Sequence, residues 1–111
     1  MTAAVIANLQ QLIGTPRDGA LLRFSLGNEY LKSGDAQQAQ LHLREALARD
    51  PAYSAAWKLL GKACAESGQP QAALEAYLQG ISVAESRGDK QAAKEMTVYA
   101  RRLQQLPDPS S

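Results

Sequence analysis

The chain contains a copy of part of itself. Leu26-Gly27 returns as Leu60-Gly61, Ser33-Gly34 as Ser67-Gly68 and Ala39 as Ala73, each 34 positions later. Ala20 aligns with Ser54 and Leu43 with Tyr77 at the same offset. A period of this length belongs to a helix pair that cannot bury its apolar face alone and does so against a second copy.

The rest of the sequence is consistent with helices throughout. The 111 residues fit one domain, and the 45% that are hydrophobic are mostly Ala and Leu, with 5% aromatic residues. Apolar periodicity and punctuation predict six helices, at about 3–13, 16–33, 36–49, 52–67, 70–86 and 90–106. Thr15, Pro16 and Asp18 read as an N-cap, a first helical residue and a capping box. Gly34, Gly68 and Gly88 read as helix stops, with Asp35 and Asp89 as the caps that follow. Loops this short make successive helices antiparallel neighbours. The expected fold is all-α.

Several function classes are disfavoured. Twelve Lys and Arg against eleven Asp and Glu give a net charge of +1, which argues against a broad nucleic-acid face. One cysteine, Cys64, and one histidine, His42, leave no disulfide framework and no multi-thiolate metal cluster. Cys64 shares a helix face with Trp57, Leu60 and Gly61, so both the thiol and the indole are expected in the core. Metal-ligand spacing, a phosphate-binding glycine loop and a nucleophilic triad are all missing, so no enzyme, metal or cofactor is expected. Arg87-Gly88-Asp89 spells an adhesion tripeptide, which a helix stop and cap explain fully. Asn8, Gln10 and Gln11 interrupt the N-terminal apolar stretch, so no signal peptide is expected. With no membrane span and a free thiol, the expected location is cytoplasmic.

The matched residues resemble the tetratricopeptide repeat. Residues 20–53 supply Leu26, Gly27, Tyr30, Ala39, Ala46 and Pro51 of its pattern, with Arg23 where a Trp is usual. Residues 54–87 supply Trp57, Leu60, Gly61, Ala73 and Tyr77, but carry Cys64, Gly80 and Glu85 in place of an aromatic, an Ala and the closing Pro. The resemblance implies a right-handed α-α superhelix of antiparallel helix pairs. On this reading residues 1–106 form one domain, with a helix at 3–13, repeats at 20–53 and 54–87, and a terminal helix at 88–106. Residues 107–111 form a flexible tail. The terminal helix would pack Ala93, Met96, Ala100 and Leu103 inward and leave Lys94, Glu95, Arg101 and Arg102 in water.

The resemblance also implies a concave peptide-binding groove, whose residues here are Leu21, Phe24, Asn28, Lys32, Ala55, Lys58, Lys62 and Glu66. Its lysines would favour an acidic segment of a partner protein. The family's clamp for chaperone C-termini is incomplete, because Phe24 and Leu59 replace a Lys and an Asn. The expected function is a non-enzymatic adaptor, monomeric or weakly self-associating, that binds neither membrane nor nucleic acid. A structural or self-assembling subunit is the alternative.

Overall fold

A computed structural model describes residues 2–105, apart from the Thr2 side chain. Met1 and residues 106–111, including the expected tail, lie outside the described residues. Six helices follow one another: α1 (Thr2–Gln10), α2 (Ala20–Lys32), α3 (Ala36–Arg49), α4 (Ser54–Glu66), α5 (Pro70–Ser86) and α6 (Lys90–Gln104). Helices α2 and α3, then α4 and α5, form antiparallel pairs, and α6 packs on α5. Helices α2, α4 and α6 make one row, with α2 touching α4 and α4 touching α6. The molecule measures 45 × 32 × 21 Å.

The pairs are built alike because the same local chemistry recurs. Helix α2 ends at Gly34 with φ +86°, a left-handed conformation that only glycine adopts cheaply. The Gly34 amide donates to the Leu31 carbonyl at 3.1 Å and the Asp35 amide to the Tyr30 carbonyl at 2.9 Å. Gly68 ends α4 in the same way, with Gln69 donating to Cys64 at 2.9 Å. The Asp35 carboxylate accepts from the Gln38 amide at 3.1 Å and so caps α3. Asp89 does the same for α6 through Ala92.

Within each pair the helices touch where a side chain is missing. A Cβ on Gly27 would come within 2.6 Å of Leu43, and one on Gly61 within 2.5 Å of the Tyr77 ring. Leu26, Leu43, Leu60, Cys64 and Met96 are fully enclosed, with Ala39, Ala46, Ala56, Ala63 and Ala73 between them. Small residues let the axes approach, and the larger side chains fill the remaining space.

Three expectations need correction. The first helix stops at Gln10 rather than 13, and residues 11–14 form turns. The second begins at Ala20 rather than 16, because Thr15 and Asp18 do other work than capping. The Thr15 hydroxyl donates to the Leu12 carbonyl, while Asp18 accepts from the Gly14 amide at 3.0 Å and from Arg23. Trp57 is half-buried rather than enclosed, with its indole N–H donating to the Pro51 carbonyl at 2.8 Å.

Candidate functional site

The row α2–α4–α6 forms the wall of a groove. Its larger hollow, about 540 Å³, is lined by Phe24 and Asn28 of α2, Ala55, Lys58, Leu59 and Lys62 of α4, Tyr77 of α5 and Tyr99 of α6. A smaller hollow of about 170 Å³ adjoins it and shares Asn28, Leu59 and Lys62. Leu31, Lys32 and Glu66 complete its lining.

Of the expected groove residues, Phe24, Asn28, Ala55, Lys58 and Lys62 therefore meet in the larger hollow, and Lys32 and Glu66 join Asn28 and Lys62 in the smaller one. Leu21 lines neither and is 68% exposed. Phe24 stacks on Tyr53 with ring centroids 4.9 Å apart, and Leu21 lies a turn before this stack. Helix α1 contributes nothing to either lining.

Leu59, Tyr77 and Tyr99 extend the site beyond the expected set. Tyr99 was hidden by the change of period: α4 begins 34 positions after α2 (54 − 20), but α6 begins 36 after α4 (90 − 54). The difference arises in α5, which has 17 residues against 14 in α3. At the longer offset Met96 takes the place of Leu60, and Glu95 and Tyr99 fall on the face that Leu59 and Ala63 occupy in α4.

The electrostatics differ from the expectation of a cluster of free cations. Lys58 Nζ lies 3.0 Å from Glu95 Oε1, a pairing that links α4 to the neighbouring α6 beside the larger hollow, which Lys58 lines. Glu95 is thus half-buried rather than fully in water. Lys32 lies 3.6 Å from Glu29 on its own helix. Among the described residues Lys62 has no carboxylate within 4 Å, and the Asn28 amide has no hydrogen-bond partner. Both residues line both hollows.

Burial, together with Tyr99, pushes the Tyr77 phenol up to about 12, so it holds its proton at neutral pH. Tyr77 and Tyr99 lie 5.4 Å apart, giving the groove an aromatic floor. Cys64 is enclosed, and burial raises its pKa. Its cationic neighbour, Arg44 at 4.0 Å, opposes that rise without overcoming it. His42 stacks face to face on Tyr30 at 5.4 Å. Its Nδ1 lies 3.3 Å from Arg23, and a guanidinium can only donate, so Nδ1 accepts and the ring is neutral there. Among the described residues no three His, Cys, Asp or Glu side chains converge as metal ligands, and no helix is long and apolar enough to cross a membrane.

Comparison with known proteins places this architecture among relatives. The sequence model of the tetratricopeptide repeat matches residues 24–93. A TPR repeat-containing protein of Pseudomonas aeruginosa is 48% identical over 99 residues, which cover 89% of this chain and 94% of the relative. The solution structure of a Bordetella parapertussis protein is 41% identical, with a TM-score of 0.78 over 89% of this chain and 86% of that one. The crystal structure of a tetratricopeptide repeat domain protein from Salinibacter ruber is 27% identical, with a TM-score of 0.75 over 81% of this chain and all of that one (100%).

Proposed function

The chain belongs to the tetratricopeptide repeat family, whose domains generally mediate protein–protein interaction, and we propose that it is a non-enzymatic adaptor that holds a peptide segment of a partner in its concave groove. On this reading residues 20–53 and 54–87 are the repeats, and 88–106 closes the domain while lending Tyr99 to the site. The carrying observation is the groove itself. Its two hollows share Asn28, Leu59 and Lys62, the larger is lined by Phe24, Leu59, Tyr77 and Tyr99, and among the described residues Lys62 and Asn28 carry no partner. Apolar area with a few convergent polar groups is what a binding cleft requires. A cytoplasmic setting suits the free thiol of Cys64.

The test is obstruction. Ala55 is exposed at the mouth of the larger hollow, so Ala55→Arg fills it without disturbing the core. Partners recovered from the native cell by the wild-type protein should be lost by this variant and kept by Leu78→Glu, since Leu78 lies outside the groove lining. Equal recovery by all three proteins moves the site away from the groove.

A second reading rests on the other end of the molecule. Among the described residues helix α1 packs on α2 alone and leaves Val5 41% exposed, with Ile13 37% exposed in the turns that follow and Leu21 more so. Self-association through this edge would make the chain a structural subunit. Sedimentation that stays monomeric at high concentration rejects it.

A further inference from the structure

Among the described residues each cation of the groove except one is already answered. Lys58 is held by Glu95 at 3.0 Å, and the next charge outward on α4 after Lys62 is Glu66. Lys58, Lys62 and Glu66 succeed one another at single helical turns, about 6 Å apart along α4. A ligand carboxylate therefore finds one unanswered cation, Lys62, with the Asn28 amide lining the same two hollows as a further donor. On one side of it a second carboxylate would have to displace Glu95, and on the other it would meet Glu66. Beside that cation the larger hollow offers Phe24, Leu59 and Tyr99 to a bulky apolar side chain.

We infer that the groove selects a segment carrying a single carboxylate beside a bulky apolar side chain, and that Glu95 sets that count by occupying Lys58. This rests on the groove reading above and replaces the broadly acidic ligand expected from the lysines alone. Glu95 acts as a built-in competitor, because any second ligand carboxylate must break a pairing that already exists.

The test uses pools of heptapeptides, acetylated and amidated so that their termini carry no charge, with Phe fixed at the third position. The pools differ only in having two Gln, one Glu and one Gln, or two Glu at positions two residues apart, about 7 Å in an extended chain. Enrichment on immobilised protein is read by mass spectrometry for the wild type, Glu95→Gln and Lys62→Gln, each checked for folding by circular dichroism. On the wild type the single-Glu pool should be enriched up to about fivefold over the Gln pool, the size of one exposed pairing, with no gain from the second Glu. Glu95→Gln should put the two-Glu pool ahead, and Lys62→Gln should erase the single-Glu advantage.

A two-Glu pool already ahead on the wild type, an order unchanged by Glu95→Gln, or equal retention of all three pools overturns this inference while leaving an apolar groove in place. Retention of no pool by any of the folded proteins overturns the groove reading as well.

Discussion

Arg23 and Trp57 occupy the same place in successive helix pairs, 34 residues apart, and fill it by different physics. In α4–α5 Trp57 packs against the core and its indole donates to the Pro51 carbonyl. In α2–α3 the guanidinium donates to both Asp18 oxygens, at 2.9 and 3.1 Å, and to His42 at 3.3 Å. Arg49 adds a further contact to Asp18 at 3.8 Å and pairs with Glu45 at 2.7 Å. The position requires a long side chain with a flat polar tip, and an aromatic ring is only one way to meet that need. The two solutions differ in their sensitivity to solvent. The indole contact is largely indifferent to pH, whereas the ion network depends on the protonation of every member.

The surroundings adapt accordingly. A Cβ on Gly80 would collide with the Met96 sulfur and come within 2.8 Å of Trp57 Cβ, so glycine replaces the alanine that α3 has at Ala46. That glycine admits both the indole and the docking helix α6. The first pair meets α4 at the equivalent point, with Leu60 in the place of Met96 and Arg23 in the place of Trp57, and keeps its methyl group.

The largest effect expected is in the second pair. Tyr77→Ala should cost about 3–5 kcal/mol in urea unfolding, since its ring is almost wholly enclosed. Trp57→Ala should cost less, about 2 kcal/mol, because half-burial returns less apolar area to water. A Trp57 loss equal to that of Tyr77 would show that the indole bears as much of the second pair as an enclosed ring.

The smallest effect tests the first pair through pH. The hydrogen bond from Arg23, with help from the Gly14 amide, lowers Asp18 from 3.8 to about 2. Its stabilisation is therefore complete above 3.8 and disappears as the pH falls towards 2. Burial, then Arg23, hold His42 below its ordinary 6.5, so the folded state favours the neutral ring and stability falls as the pH drops through 6.5. The melting temperature should decline in two steps on acidification. Arg23→Met should flatten the lower step by removing the main cause of the Asp18 shift. A lower step of unchanged height would assign acid sensitivity to other carboxylates, Glu45 first, whose pKa Arg49 lowers by hydrogen bonding.

How much was legible depended on whether the signal was local. Gly34 and Gly68, Asp35 and Asp89, and the Leu-Gly pairs act within a few residues, and each marks its place in the sequence as clearly as in the fold. Thr15 and Asp18 deceived because their spacing is that of a capping box while their partners, Leu12 and Arg23, lie on either side of the turn. The α2 and α4 contributions to the groove followed from helical periodicity alone. Leu21 shared that periodicity yet fell outside the hollows, since helical phase says which face a residue is on and not where a neighbour stops.

By itself the sequence determined the all-helical class, the six helices and the pairing. All of these follow from short-range periodicity and from the repeat at 34 positions. Only the tertiary structure decided that Glu95 neutralises Lys58 and that Tyr99 joins the groove. The reason is the extra length of α5, which advances α6 by two positions and so turns a different set of side chains toward α4. A change of register has no local signature, and its consequences exist only where helices distant in sequence meet.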